Sequence, residues 1–192
     1  MRIIEKIQSN WYWWRARLTA GNRLRNAGKL RLTVPLRVDG DGSVDIGNGV
    51  MLGFRLAPMA GDGCIMLQAR TPSSRITIGN GCIFSNNVTV LACQEIKIGE
   101  GCLIGDQAMI VDSDFHGCEP WRRGEPGITK PVVIGNNVWI GSRSIILRGV
   151  SIGNNSVVAA GAVVSRSIPA NTIVSHVSNL VMNDMSALWD RE

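Results

Sequence analysis

The sequence predicts an all-β solenoid in which short parallel strands wind as a β-helix around a column of aliphatic side chains. Three observations lead there. First, large apolar residues recur every six positions: Ile134, Ile140, Ile146, Ile152, Val158 and Val164, and upstream Ile78, Phe84, Val90 and Ile96, then Ile98, Ile104 and Ile110. Second, one phrase returns in near copies: VDIGNGV, ITIGNGC, IKIGEGC, VVIGNNV and VSIGNNS. Third, Gly, Asn, Asp or Glu follows the apolar position. Gly and Asn tolerate the positive φ that a tight corner demands. A step of six fits neither an amphipathic helix of period 3.6 nor a sandwich with strands spaced by about 8–12 residues. Three hexads make one triangular coil, so Ile134 and Ile152 stand one turn apart.

In chain order, residues 1–40 form the first element, an N-terminal arm. Ile3, Ile4, Ile7 and Trp11 have roughly helical spacing and run into the cluster Trp11-Tyr12-Trp13-Trp14. Such an arm can cap the open end of the solenoid. It can also lie on a membrane as an amphipathic foot, with Arg15, Arg17, Arg23 and Arg25 on its polar side. The solenoid is expected over 41–174. Between Arg55 and Ser74 the period lapses, as expected for an irregular coil or loop. It lapses again at about 111–131, a protruding loop. Residues 175–192 form a tail in which NDMSALWDRE is expected to make a short closing helix.

The totals narrow the function. With 192 residues, 45% of them hydrophobic, the chain can bury a core. A net charge of +5 suits solubility or an anionic small partner, and gives no support to nucleic-acid binding. No apolar run is long enough to cross a membrane, and no signal peptide is expected. Cys64, Cys82, Cys93, Cys102 and Cys118 lack zinc-ligand spacing, so they read as reduced thiols in a cytoplasmic protein, with no metal expected.

The loop IVDSDFHGCEPWRRGEPGITKPVVIG holds His116, one of two histidines, just after Asp112 and Asp114. Histidine is the natural general base at neutral pH. Asp112, Asp114 or a backbone carbonyl can orient its ring. Trp121, Arg122, Arg123 and Glu125 suit a polar, sugar-like ligand, since aromatic faces stack on sugar rings. His176 reads as an ordinary tail residue. Trp139, beside the inward Ile140, points outward.

The run VVIGNNVWIGSRSIILRGVSIGNNSVVAAGAVVSRSIP resembles the hexapeptide-repeat acyltransferases, closest to the maltose, galactoside and polysaccharide O-acetyltransferase branch. The resemblance covers about Val44 to Val174. It implies a left-handed β-helix, a homotrimer, and acetyl-coenzyme A in the groove between neighbouring solenoids. It places the catalytic histidine at His116, and contacts to the acyl donor at Trp139, Gly141, Ser142, Ala160, Ser165 and Arg166. An amide near Gly141–Ser142 would hold the oxyanion. Contacts to the acceptor fall on Ser85, Asn86, Asn87 and Trp121. The chain departs from the family in its HVSNLVMN segment, which lacks the usual proline and basic residue.

The function so implied is acetyl-CoA-dependent O-acetylation of a sugar hydroxyl in surface-polysaccharide biosynthesis, at the cytoplasmic side of the membrane. The alternatives are N-acetylation of a nucleotide-linked amino sugar, acetylation of a small molecule, or a non-enzymatic scaffold.

Overall fold

The computed structural model describes residues 3–175. The expected closing helix and His176 lie outside the described residues. The chain forms a left-handed parallel β-helix of three sheets, one per face of a triangular prism. Sheet A contains Leu24–Asn26, Ser43–Ile46, Arg75–Ile78, Glu95–Ile98, Val132–Ile134 and Ser151–Ile152. Sheet B contains Leu30–Leu32, Val50–Leu52, Ile83–Phe84, Leu103–Ile104, Trp139–Ile140, Val157–Val158 and Ile173–Val174. Sheet C contains Leu36–Asp39, Ile65–Ala69, Thr89–Ala92, Met109–Val111, Ile145–Ile146 and Val163–Val164. Every strand pair is parallel, and Ile134 pairs with Ile152, Ile140 with Val158, and Ile146 with Val164.

The six-residue step is one face of this prism, and three make a turn. Ile134, Ile140, Ile146, Ile152, Val158 and Val164 are all buried. Two positions before each stands a second buried residue of smaller size: Val132, Val138, Ser144, Val150, Ser156 and Ala162. The buried serines are satisfied: Ser144 Oγ donates to the carbonyls of Gly141 and Ala159, and Ser156 Oγ to that of Pro169. The A-to-B corners stack as a ladder. Asn136 Oδ1 accepts the Glu100 N–H at 2.9 Å, and Asn154 Oδ1 accepts the Asn136 N–H at 2.8 Å. Gly101, Asn137 and Asn155 occupy successive rungs with φ of 64°, 53° and 59°. These are the residues that enter the left-handed region at least cost.

The solenoid begins earlier than the boundary expected at residue 40. Strands Leu24–Asn26, Leu30–Leu32 and Leu36–Asp39 pair with the next coil and make the first turn. The step of six is present there, in Leu24, Leu30 and Leu36, but without the Ile-Gly phrase that marks the other coils. Only the segment before it is helical: α1 (Ile3–Ala20) lies across the end of the prism, against the strands of that first turn. Ala16 and Ala20 are buried, Tyr12 and Trp13 pack on the core, and Ser9 Oγ accepts the Leu32 N–H at 2.9 Å. The helix therefore covers an end that would otherwise leave strand amides and aliphatic side chains open.

Candidate active site

The loop 112–131 leaves the prism at the corner between sheets C and A, after Met109–Val111 and before Val132–Ile134. It is tied at its base. Ser113 and Thr129 form an antiparallel bridge, Asp114 N–H donates to Ile128 O at 3.0 Å, and Lys130 N–H donates to Asp112 O at 2.9 Å. Thr129 Oγ1 donates to Ser113 Oγ at 3.1 Å. Higher up, the Gly117 N–H donates to the Glu125 carbonyl at 3.1 Å. Gly127 is required by close approach, because a Cβ there would stand 2.4 Å from the His116 carbonyl oxygen.

Phe115 precedes the histidine with φ of 63°, and the His116 N–H donates to the Asp114 carbonyl at 2.8 Å. This is a classic-sense γ-turn, rare and strained for a bulky side chain. The Phe115 ring is held under the Arg70 guanidinium, 4.6 Å from its centre. The turn sets His116 at the loop surface, exposed, with its Nδ1 2.9 Å from the Arg123 carbonyl oxygen. A carbonyl only accepts, so Nδ1 carries the proton and the neutral ring keeps its lone pair on Nε2.

Of the orienting groups the sequence offered, the structure therefore uses the backbone carbonyl. Asp112 does not serve. It is fully buried, and its carboxylate accepts the N–H groups of Cys93, Gln94 and Glu95 at 2.7, 2.7 and 2.8 Å. Burial pushes its pKa up and the three N–H bonds partly offset that. It is the clamp that fixes the preceding corner of the solenoid. Asp114 lines the same recess as His116 but pairs with Arg148, Nε to Oδ2 at 2.5 Å, not with the ring. Arg148 lies at the C-to-A corner of the next coil, so this ion pair ties the loop to the prism.

His116 also borders a cleft of about 590 Å³ between the loop and the two preceding C-to-A corners. Its walls include Arg70, Thr71, Gln94, Phe115 and Glu125. Arg70, Thr71 and Gln94 were missed in the sequence: the first two lie in the stretch expected to be an irregular coil or loop, and nothing marks Gln94. Only stacking of coils brings them under the loop. Trp121 stands well exposed on the loop's Pro120–Arg122 turn.

The other expected site residues lie elsewhere on the prism. Trp139 projects from sheet B, 54% exposed, and Ser142 and Ala160 are exposed at the B-to-C corner. Gly141 is buried at that corner. Ser165 and Arg166 are exposed at the C-to-A corner, the one that bears the loop. Ser85, Asn86 and Asn87 occupy a B-to-C corner of an earlier coil. Asn86 is not available to a ligand: it is fully buried, its Oδ1 accepts the Phe54 N–H, and its amide donates to the carbonyls of Phe54, Ala57 and Pro58. It staples the irregular 53–64 segment to the core. Asn87, at φ 59°, donates to Asp106 Oδ1 at 3.1 Å, and Ser85 is half-buried. Thus the chain by itself does not bring His116 together with Trp139 or Ser85, which stand elsewhere on the prism. Among the described residues no group of three or more His, Cys, Asp or Glu is placed to hold a metal.

Known proteins share this architecture. A family profile for the hexapeptide repeat of succinyl-transferase matches residues 131–166. The chain is 33% identical to the galactoside O-acetyltransferase of Escherichia coli over 113 residues, which are 59% of this chain and 56% of that protein. It therefore spans little more than half the length of that relative. It is 31% identical over 134 residues to an Escherichia coli protein named for O-acetyl transfer in lipopolysaccharide biosynthesis, covering 59% of this chain and 67% of that one. A crystal structure of a galactoside acetyltransferase in complex with coenzyme A superposes with a TM-score of 0.58 at 20% identity, over 94% of this chain and 80% of the other, and shows the shared fold. Coil repeat, corner phrase and sequence identity agree, and the chain belongs to the hexapeptide-repeat acyltransferase family.

Proposed function

We propose that the protein transfers the acetyl group of acetyl-coenzyme A to a sugar hydroxyl, with His116 as general base, in the cytoplasmic synthesis of a surface polysaccharide. The observation that carries this reading is the ring of His116, held by the Arg123 carbonyl with Nε2 left as the base. In this mechanism Nε2 takes the proton of the acceptor hydroxyl as its oxygen attacks the acetyl carbonyl. The tetrahedral intermediate collapses with cleavage of the C–S bond, and the imidazolium returns its proton to the departing sulfur. At the B-to-C corner the Gly141 N–H is committed to the Val158 carbonyl at 2.8 Å, so the amide that would face the oxyanion is that of Ser142.

The exposed residues suit an acyl donor with a long arm and phosphates: the Trp139 face as an apolar wall, Ser142 and Ala160 beside it, Ser165 and the Arg166 cation at the next corner. The cleft walled by Arg70, Thr71, Gln94 and Glu125, with Trp121 above, suits a polyhydroxylated acceptor. The relatives named for galactoside and lipopolysaccharide O-acetylation support this class of acceptor.

The site is completed by a neighbour in a homotrimer. Beyond the first coil, which presents Arg31 on sheet B and Arg37 on sheet C, outward positions on sheet B read Met51, Ile83, Leu103, Trp139, Val157 and Ile173, and on sheet C Met66, Gln68, Thr89, Leu91, Met109, Ile145 and Val163. On sheet A they read Arg25, Asp45, Thr77, Lys97, Val133 and Ser151. Two apolar faces meeting at one edge are what a three-fold axis requires, while the polar face stays in water.

The test is release of free coenzyme A thiol from acetyl-coenzyme A against a panel of saccharides, comparing the parent with His116→Ala. Turnover falls by about 10²–10⁴-fold if His116 is the base, with assembly and donor binding retained. Near-parental turnover in the variant overturns the assignment.

A further inference from the structure

Helix α1 caps the prism with one face and leaves the opposite face exposed. Ile4, Ile7, Trp11, Trp14 and Leu18 are 76, 64, 53, 53 and 64% exposed. At 3.6 residues per turn these positions form one continuous stripe, on the side opposite Ser9, Ala16 and Ala20, which are buried against the first coil. The Trp11 and Trp14 rings stack on each other at 5.5 Å and make a broad apolar plate. Cations flank the stripe, Lys6 and Arg17 on one side and Arg15 on the other, all exposed. The helix's acid, Glu5, is turned back toward the coil, where it pairs with Arg31 and Arg55 at 3.4 and 3.8 Å.

We infer that this stripe docks the protein on an anionic lipid surface. Apolar and tryptophan side chains with basic residues on both flanks are the composition of a helix that lies in the interface plane. Lipid phosphates supply the negative charge that Lys6, Arg15 and Arg17 face, and among the described residues no acid pairs with them. The geometry adds a second reason, which rests on the trimer proposed above. Because α1 lies across the end of the prism, a three-fold axis along the solenoid sets three copies of the stripe on one end of the assembly. A planar membrane can engage all three at once, and three weak anchors joined in one body bind far more tightly than one. Docked so, the solenoid stands on the membrane with its loops to the side, and lipid-linked saccharides become the acceptors within reach.

The experiment is co-sedimentation of the full chain with phosphatidylcholine vesicles that contain phosphatidylglycerol, against vesicles of phosphatidylcholine alone. The parent binds the anionic vesicles and loses much of this in high salt. Ile7→Glu with Trp14→Glu lowers the partition coefficient at least about tenfold, since two exposed apolar anchors are removed. Lys6→Glu with Arg17→Glu weakens binding to anionic vesicles only. All these side chains are exposed, so both variants keep the parental unfolding midpoint. His116→Ala binds as the parent does, so failure of the catalytic assignment leaves this measurement readable. No binding by the parent, or binding indifferent to both double variants, overturns the inference. So does a stripe-dependent association of trimers without vesicles, which would assign the face to a second copy of the chain.

Discussion

His116 is held in place by its neighbours' backbones more than by their side chains. The γ-turn at Phe115 aims the ring, the Arg123 carbonyl fixes its tautomer, and Gly127 makes room for the turn. Asp114 does not touch the ring and instead pairs with Arg148, which ties the loop to the prism. Asp114→Asn and Arg148→Ala are therefore each expected to lower kcat by about tenfold, less than His116→Ala, with KM for the donor little changed. Their double variant should be no worse than either alone, because both remove one tether. A steady-state cycle of the four proteins reads this; independent, multiplying losses would show that Asp114 serves the reaction by another route. The loop and its histidine were legible in the sequence, because a broken period around a lone histidine is visible there. The partner of Nδ1 was not: a carbonyl is common to every residue, and only the folded loop selects Arg123. Asp112 misled for the same reason. Adjacency to His116 in sequence says nothing of direction, and its side chain turns inward to three amides of the preceding coil.

At the level of the coil, the corner is the repeating element, and its glycine is a matter of space. A Cβ on Gly99 would stand 2.4 Å from Asn136 Oδ1 and 2.5 Å from the Gly135 carbonyl oxygen. Both belong to the next rung of the ladder and cannot withdraw without breaking it. Gly99→Ala is expected to destabilise the protein by about 1–3 kcal/mol. Denaturant unfolding followed by far-ultraviolet circular dichroism checks this; a parental midpoint would mean that the corners shift more easily than the stacking suggests. The same element explains where the first coil hid. Leu24, Leu30 and Leu36 keep the six-residue step, but with arginines between them and no Ile-Gly phrase they read as part of a helical arm. Pairing with Val44, Val50 and Ile65 places them in the solenoid.

Across the whole molecule, the contrast between faces is the feature with the largest consequence. Leu103 and Val163 stand outward on sheets B and C, and Val133 stands outward on sheet A. Leu103→Asp and Val163→Asp are each expected to dissociate the proposed trimer, since three carboxylates would be buried without partners. Val133→Asp, the same kind of change on the polar face, should leave it assembled. Sedimentation velocity distinguishes the outcomes, and equal behaviour of the three variants would place the interface elsewhere. The sequence by itself determined the coil, because a solenoid repeats its contacts at a constant chain separation and so writes its fold as a period. It also determined that one loop is exempt from that period and carries a histidine. What only the tertiary structure decided is which residues from different coils share a corner or a face. The Arg70, Gln94 and Glu125 cleft and the Asp114–Arg148 tether arise from stacking that brings together positions distant in the chain, and no local pattern encodes those.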